Sequence, residues 1–406
     1  MNEKLFAALQ KIIISPGQKF IKRPAASMGR LVSQERFLSG KNVVITASPS
    51  MYLQLNLPDT LNLPLEDIKI QRPIGMPLNM PGFPSSIDVP AMTIARLSNV
   101  ICLSGGVLLS HPDIVLEETF SAPWECVYHH HLIKDENEKY SVIREYNTNI
   151  FLKGKYLCLD YQHFFHYGHF LLDVLSRIWA YDYLTSFFGI DDLRILMPAM
   201  EASFANEFLD LYGISSDRIV PLEGAVTVEE LFVPTKSFQI QEYTSPTAVA
   251  TWKKISNAER GVGGPKRIYV SRSRNPQRIL VNERETEEIV RAKGFIVIHP
   301  EEIPVRRQVG LFANAEIVVG TSGSNMFNLA FQRRLRAALI LASPLLVHYT
   351  DVFLQCGNKS HLTYFVGEPA IDHPNFDDQN VHSPWHIDLA SFSRALDEWL
   401  AIHDPQ

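Results

Sequence analysis

Cysteine is scarce in this sequence. The 406 residues contain four cysteines, no two of which form a C-x-x-C pair: Cys102, Cys126, Cys158 and Cys356. Zinc ribbons and small disulfide-stabilised scaffolds both need closely spaced cysteines. Both classes are therefore excluded, and the scattered cysteines are typical of a protein from a reducing compartment.

An excess of positive charge and a long apolar run are also lacking. The chain has 38 Lys and Arg against 44 Asp and Glu, a net charge of −6, so no overall positive field draws it to nucleic acid. The most apolar internal stretch, 337–347, contains Pro344 and is too short to span a bilayer. Because Gln10 and Lys11 interrupt the first apolar run, this run is a poor candidate for a secretory signal. We expect a cytoplasmic protein.

The length suggests two or three domains. Residues 1–40 are expected to form a basic arm, either an irregular docking segment or a peripheral contact at the inner face of the membrane. Residues 41–255 are expected to form a first domain and residues 256–380 a second, beyond a glycine-rich hinge at 261–265. Residues 381–406 are expected to form a return helix that packs back onto the first domain.

Apolar strands alternate with helices from residue 267 onward. Strands are predicted at 267–270, 295–298, 316–320 and 338–341, and helices begin at Val305, near Asn325 and after Asn282, where Glu285 would complete a capping box. Continuous apolar strands joined by helices predict a parallel, doubly wound sheet, which binds ligands at the carboxyl ends of its strands. The predicted fold class is therefore α/β.

A small loop between a predicted strand and helix is the first candidate site. It reads Gly320-Thr321-Ser322-Gly323-Ser324-Asn325. Backbone N–H groups at a helix N-terminus attract phosphate, and the hydroxyl groups add donors. The alternative is an ordinary capped turn. The loop is neither a P-loop nor the G-x-G-x-x-G of dinucleotide enzymes, which disfavours a nicotinamide-dependent dehydrogenase.

A basic run free of acidic residues is the second candidate site. Arg272, Arg274 and Arg278 lie in it, just after a predicted strand. Guanidinium groups at such a strand end could bind a diphosphate and stabilise charge on a leaving group. The alternative is a solvated basic loop, which we favour for Arg278. Because the Ser/Gly loop falls on the same sheet edge, the two features together predict an anion site.

A predicted helix supplies the third candidate site. His169, Asp173 and Arg177 are spaced i, i+4, i+8 and so share one face. A histidine with a carboxylate one turn away can act as a general base. The alternative is a structural ion pair between Asp173 and Arg177 beside a partly buried histidine. No spacing singles out a metal site, and the need for a divalent cation stays open.

Several of these segments follow one another in an order that is itself distinctive. Residues 165–179 fit the pattern Y-x-H-W/F-L-x-D/E-x-L-P-R-L, residues 268–274 fit Y-I-S-R, and residues 282–283 fit N-E. Residues 295–302 and 308–315 fit G-F-x-V-V-x-P-E-E-L and Q-V-x-L-F-x-x-A, and residues 320–328 fit V-G-x-H-G-A-x-L-T-N. This set resembles glycosyltransferase family 61 over about residues 150–370. Ser322 replaces the usual His, and Ser176 the usual Pro.

The resemblance implies a GT-B-type glycosyltransferase with two Rossmann-like domains facing a cleft. It would be an inverting enzyme that moves a sugar from a nucleotide-sugar, a UDP-sugar first among them, to a polysaccharide or lipid-linked glycan, in bacterial capsule or surface polysaccharide biosynthesis. No cofactor would be essential. The alternative, motivated by Ser322, is a catalytically silent nucleotide-sugar or glycan-binding partner in a polysaccharide assembly complex.

The resemblance also assigns roles to residues. His169 or Asp173 would be the base, with His166 and Arg177 supporting the acceptor side. The diphosphate would lie on the C-terminal domain. Its binding residues would be Arg272, Arg274, Ser322, Gly323, Ser324 and Asn325, with Glu301 and Asn328 beside them.

Overall fold

A computed structural model describes most of the chain from residue 84 onward and short segments before it. The described residues are 21–23, 51–54, 59–62, 68–71, 84–111, 114–120, 125, 129–134, 140–142, 146–199, 204–261, 263–347, 349–355, 360–371 and 382–405. Most of the predicted N-terminal arm, and Val262 in the predicted hinge, lie outside them. Within these residues, no helix has the length and apolar character needed to cross a membrane.

The described strands are numbered in chain order. They are β1 Ile21–Arg23, β2 Met51–Gln54, β3 Asp59–Asn62, β4 Ile68–Gln71, β5 Ser86–Val89, β6 Thr93–Leu103, β7 Val107–His111, β8 Ile114–Val115, β9 Leu132–Lys134, β10 Tyr140–Val142, β11 Ile150–Cys158, β12 Arg194–Pro198, β13 Ile219–Leu222, β14 Ala225–Pro234, β15 Phe238–Gln239, β16 Tyr243–Thr244, β17 Arg267–Val270, β18 Ile296–Ile298, β19 Ile317–Thr321, β20 Ala337–Ala342, β21 His361–Val366, β22 Glu368–Pro369 and β23 Trp385–His386.

The helices are named by their bounds. The longer α-helices are Phe204–Tyr212, Pro246–Asn257, Glu283–Ala292, Val305–Asn314, Tyr349–Gln355 and Leu389–His403. The 3-10 helices are Glu117–Thr119, Ser216–Arg218, Pro300–Glu302 and Ser324–Phe331. Residues 167–187 form an irregular helix of short α, π and 3-10 segments, which we call the base helix.

The chain folds into two compact units, neither of them continuous in sequence. Unit 1 comprises residues 1–60, 88–205 and 214–239, and unit 2 comprises residues 61–87, 206–213 and 240–406. In unit 1, β14, β11, β12 and β13 run parallel, while β6 pairs antiparallel with β14 and with β2 and β7. Unit 1 therefore contains a mixed sheet, whose core includes Leu97, Val228 and Leu231.

Unit 2 contains a parallel sheet in the order β18-β17-β19-β20-β21-β4. Its strands β19 and β20 are buried along their whole length, because helices cover both faces of a parallel sheet. The strands predicted from the apolar runs at 267–270, 295–298, 316–320 and 338–341 correspond to β17 to β20. The α/β class with parallel sheets is thus confirmed, whereas the division at residues 40, 255 and 380 stays a prediction.

The C-terminal helix does not pack where the sequence suggested. Phe392, Leu396 and Trp399 lie in the core cluster of unit 2, together with Tyr269 and Leu339 from its sheet. The expectation of a return onto the first domain was therefore wrong. The physical reason is that the apolar stripe of this helix covers a sheet face of unit 2 that would otherwise be exposed.

The predicted capping box at Asn282 was also wrong. Asn282 occupies the N-cap position of the helix Glu283–Ala292, but its side chain makes no capping hydrogen bond. Instead its amide donates to the carbonyl of Ile387 at 2.7 Å and accepts from the N–H of Ile387 at 3.3 Å. Its side chain therefore fixes the segment that leads into the C-terminal helix.

Candidate functional site

The base helix in unit 1 departs from regular α-helical geometry at the predicted catalytic residues. Residues 170–174 form a π-helical segment and residues 175–177 a 3-10 turn. The apolar residues that predicted this helix, Phe170 and Leu171 among them, are buried. A π turn carries one residue more than an α turn and rotates the residues that follow it, and such turns are frequent at functional sites. The face predicted to continue from Asp173 to Arg177 is therefore interrupted.

His169 and Asp173 form the predicted pair. His169 Nδ1 and Asp173 Oδ2 lie 2.7 Å apart. The Asp173 side chain is 1% exposed, whereas the His169 side chain is 28% exposed. An ionised carboxylate at Nδ1 holds the proton on that nitrogen and leaves the lone pair of Nε2 available. Among the described residues Nε2 has no partner, so the pair has the form of a general base.

A buried lysine completes the charge arrangement behind this pair. Lys236 Nζ lies 3.3 Å from Asp173 Oδ1 and 3.9 Å from Glu125 Oε1, and its side chain is 1% exposed. It also lies 3.9 Å from the centre of the Tyr161 ring. Burial alone would raise the pKa of Asp173, but the Lys236 ammonium and the hydrogen bond to His169 outweigh it and lower that pKa. Asp173 is therefore the ionised partner that a histidine base needs.

The neighbouring rings hold the imidazole of His169 in place. The ring of His163 stacks on it with centroids 4.5 Å apart. Burial, together with repulsion from His169 and His130, lowers the pKa of His163 to about 4, so at neutral pH this stacked ring is uncharged. The ring of His166 lies edge-on, 5.3 Å from that of His169. The structure thus brings His166 to the pair, as the sequence suggested.

Arg177 is not brought to the face of His169. Its guanidinium is buried, donates from Nη1 to the carbonyl oxygen of Asp160 at 2.9 Å, and lies 5.7 Å from the Tyr161 ring. Asp173 instead pairs with His169 and Lys236, so the alternative of an Asp173–Arg177 ion pair was wrong. Arg177 thereby stabilises the segment that follows β11.

A second cluster lies in unit 2, at the carboxyl ends of β17 and β19. Arg272, which follows β17, is 4% exposed. A Cβ added to Gly323, whose φ is 149°, would overlap with Nη1 of Arg272 and lie 2.9 Å from its Cζ. The guanidinium therefore lies directly against the Ser/Gly loop, and only glycine leaves room for it there. The two predicted anion-binding features do converge.

This cluster contains buried donors that no group of the described residues satisfies. Arg272 has no carboxylate within salt-bridge distance among the described residues, and its Nε and the Ser322 hydroxyl are buried without a hydrogen-bond partner. Buried polar groups are nearly always paired, so unpaired ones need an explanation such as a ligand. The donors around Arg272 and Ser322 suit an anion.

A buried carboxylate holds the two loops together. Glu283 Oε1 accepts hydrogen bonds from the backbone N–H of Arg272 at 2.7 Å and from the Thr321 hydroxyl at 2.9 Å. The Tyr269 hydroxyl lies 3.3 Å from the same oxygen. Burial raises the pKa of Glu283, although these donors oppose the shift. Glu283 thereby fixes the position of Arg272 relative to the end of β19.

The backbone N–H groups of the Ser/Gly loop divide into two sets. The N–H of Ser322 donates to the carbonyl of Leu341 at 2.8 Å, so it is not available to a ligand. The N–H groups of Gly323, Ser324 and Asn325 lie at the start of the 3-10 helix Ser324–Phe331 and have no acceptor among the described residues. They remain oriented donors at a helix start.

The other predicted donor-site residues take different places. Arg274 forms a salt bridge with Glu302, and its side chain is 49% exposed. Glu301 accepts from the side-chain amide of Asn325 at 3.2 Å. Asn328 is fully buried and donates to Gln308 Oε1 and to the Asn325 carbonyl. Asn328 therefore supports the loop from within, and Arg274 is already neutralised.

Arg278 differs from its interpretation as a solvated loop residue. Its Nε is buried, with no hydrogen-bond partner among the described residues. Burial, together with repulsion from Arg272, lowers the pKa of Arg278 to about 10, although Asp351 opposes this. A second guanidinium thus lies within electrostatic range of Arg272. The solvated interpretation was wrong because an acid-free run reveals charge but not burial.

Sequence reasoning missed three residues of the candidate sites, Lys236, Glu283 and Glu125. Lys236 and Glu125 are distant along the chain from the base helix, so no local spacing points to them. Glu283 was seen only as part of an N-E pair at a helix start. That pair was the available signal, since a carboxylate in the first helical turn can also face the preceding strand end.

Comparison with known protein families gives a match over this part of the chain. The family model Glycosyltransferase 61 matches residues 167–338. The matched span contains the base helix, Lys236, the Arg272 loop and the Ser/Gly loop. No curated protein matches the chain.

Proposed function

Residues 167–338 belong to glycosyltransferase family 61, and from this premise we propose that the protein is an inverting glycosyltransferase that uses a nucleotide-diphosphate sugar. The observation that carries the proposal is the buried Arg272 guanidinium, which lies against Gly323 with its Nε unpaired. A guanidinium beside the free N–H groups of a helix start suits the two phosphates of such a donor.

The His169–Asp173 pair supports the inverting chemistry. Nε2 of His169 would accept the proton of the acceptor hydroxyl as its oxygen attacks the anomeric carbon. The bond from that carbon to the diphosphate oxygen would break on the opposite face, and its electron pair would leave with the nucleotide diphosphate. Asp173 would stabilise the resulting imidazolium, since it is buried, ionised and 2.7 Å from Nδ1.

The Arg272 cluster would act on the leaving group. Arg272 and Arg278 would offset the negative charge that builds on the diphosphate, together with the N–H groups of Gly323, Ser324 and Asn325. Because these donors are fixed in place, by Glu283 in the case of Arg272, they need little reorganisation during the reaction. A divalent cation is not required by this arrangement, and the experiment below tests its effect.

The finer parts of the proposal rest on the family resemblance. We propose a UDP-sugar as the first donor to test, and a polysaccharide or lipid-linked glycan of the bacterial surface as the acceptor. A GT-B arrangement of two Rossmann-like domains and a cytoplasmic location belong to the same proposal. The competing function is a silent partner that binds the donor but transfers nothing, and Ser322 in place of the family histidine favours it.

The test combines ligand binding with turnover. Purified protein is screened by thermal shift against UDP, GDP, CMP, dTDP and their common sugars, with and without Mn²⁺, and the best donor is then assayed for sugar transfer or hydrolysis. A ligand at a hundred times its dissociation constant should add about 2.7 kcal/mol of stability. No response to any nucleotide would contradict the Arg272 site.

Two variants separate the roles. His169→Gln should reduce turnover by about 10²- to 10⁴-fold and leave donor binding intact, because the base contributes only to the chemical step. Arg272→Gln should weaken donor binding. His361→Gln, at an exposed histidine on β21, serves as the control. A wild-type protein that binds a donor but shows neither transfer nor hydrolysis would support the silent partner.

A further inference from the structure

Three arginines surround a concavity of about 460 Å³ in unit 2. They are Arg260, Arg333 and Arg334, and Gly261, Gly263 and Asn314 complete the wall. We call this concavity the arginine pocket. Among the described residues its lining contains three positive charges and no acidic residue, in a chain whose net charge is −6.

The arginine pocket lies at the amino edge of the unit 2 sheet. Arg260, Gly261 and Gly263 precede β17 in the sequence, Asn314 ends the helix before β19, and residues 333–334 precede β20. The starts of parallel strands share one edge of a sheet, and the Arg272 cluster occupies the opposite edge. The pocket is therefore separate from the proposed donor site.

Two other arginines of unit 2 are neutralised by carboxylates, whereas among the described residues these three are not. Arg306 pairs with Asp210 and Glu259, and Arg336 pairs with Glu316. In contrast, Arg260, Arg333 and Arg334 have no carboxylate within salt-bridge distance among the described residues. Such a contrast along one edge is the pattern expected where an external anion supplies the missing charge.

The side-chain contacts of these arginines also favour an anion site. Arg260 Nε donates to the side-chain oxygen of Asn257 at 2.9 Å, a neutral partner. Arg333 Nε is buried and has no acceptor in the part of the chain that the structure describes. Burial, and repulsion from Arg260 and Arg334, lower the pKa of Arg333. Arg260 and Arg334 therefore repel the guanidinium of Arg333, and a bound anion would offset this repulsion.

We propose that the arginine pocket binds a phosphate-type oxyanion. Guanidinium groups bind phosphate oxygens through paired, charge-assisted hydrogen bonds, and the planar fork of arginine suits this better than lysine does. The concavity has room for a phosphate group with a substituent. The phosphate belongs either to a soluble compound or to the headgroup of an anionic phospholipid.

Binding is measured in the Arg272→Gln background, so that phosphate bound at the proposed donor site does not contribute. Inorganic phosphate and pyrophosphate are titrated by calorimetry at low and high salt. Vesicles of phosphatidylcholine alone, or with phosphatidylglycerol added, are used for flotation. Arg333→Gln combined with Arg334→Gln is the test variant. Arg284→Gln, at an exposed arginine on the helix Glu283–Ala292, is the matched control.

The expected result is that the test variant loses at least about tenfold in affinity, since charged hydrogen bonds to two guanidinium groups are removed. The control should keep full affinity, and added salt should weaken binding. Flotation with phosphatidylglycerol vesicles that the test variant abolishes identifies a lipid headgroup. Phosphate binding without flotation identifies a soluble ligand. Absence of both, or binding that the test variant leaves unchanged, overturns the proposal. Because Arg272 is already replaced, failure here does not bear on the donor site.

Discussion

Replacing Lys236 with methionine tests the charge arrangement behind the catalytic pair. The ammonium lies between Asp173 and Glu125, and all three side chains are at most 1% exposed. Removing one member of a buried ion pair leaves an uncompensated charge and costs about 3–5 kcal/mol. For a domain of this size, that free energy corresponds to a drop of roughly 6–20 °C in the melting temperature.

The same substitution should change the pH dependence of activity. In the wild type the lowered pKa of Asp173 contributes stability that is present above about pH 4 and is lost as the pH falls below it. Without Lys236, burial dominates and the pKa of Asp173 rises. The acid limb of the pH–rate profile should therefore move to higher pH, which a purely structural role of Lys236 would not cause.

Three further variants make this prediction refutable. Lys155 on β11 also pairs with an aspartate, Asp192, but its side chain is 33% exposed, so Lys155→Met should cost at most about 1 kcal/mol. Lys236→Met combined with Asp173→Asn should cost less than the sum of the two single variants. Thermal unfolding gives the melting temperatures of these four variants for comparison with the wild type. The reasoning is refuted if Lys236→Met lowers the melting temperature no more than Lys155→Met does. It is also refuted if the stability cost of the double variant equals the sum of the costs of Lys236→Met and Asp173→Asn.

Two other predictions concern unit 2. Gly323→Ala should weaken nucleotide-diphosphate binding by about tenfold or more in calorimetry, because the new Cβ displaces Arg272. Gly154→Ala, also at a positive φ but with open space around it, should leave binding unchanged. Equal effects of the two substitutions on binding would refute the reasoning that the Cβ at position 323 overlaps with Arg272. Burial raises the pKa of Asp351 to about 7, so its contribution to stability is present below about pH 4 and is lost as the pH rises through about 7. The free energy of unfolding of Asp351→Asn should therefore rise relative to that of the wild type by up to about 1.4 kcal/mol for each pH unit between about pH 5 and pH 7. A difference in unfolding free energy that stays constant with pH in urea unfolding would contradict this.

The parts of the fold that could be predicted were those that depend on local sequence patterns. β17, β19 and β20 were found because strands buried on both faces are continuous apolar runs. The pairing of His169 with Asp173 was found because residues four apart meet on a helix. Arg272 and Gly323 were placed together because both follow strands of one parallel sheet.

The parts that could not be predicted depend on distant or irregular contacts. Lys236 follows β14, 63 residues beyond Asp173, and a lone lysine after a strand usually lies in solvent. The π segment that displaces Arg177 has no dependable pattern in the sequence. Asn282 was expected to cap a helix, but it bonds to Ile387, which only the folded chain brings near.

The position of β4 has a consequence for how this protein can be made and divided. β4 comes from residues 68–71, yet it forms the parallel edge strand of the unit 2 sheet beside β21, near the other end of the chain. This pairing joins residues far apart in sequence and so has a very high contact order, and unit 2 cannot complete its sheet until residues 361–366 have also been synthesised. A fragment that starts at residue 240 would expose the edge of β21 to intermolecular pairing. Such a truncation should aggregate, and a peptide spanning β4 added in trans should suppress the aggregation.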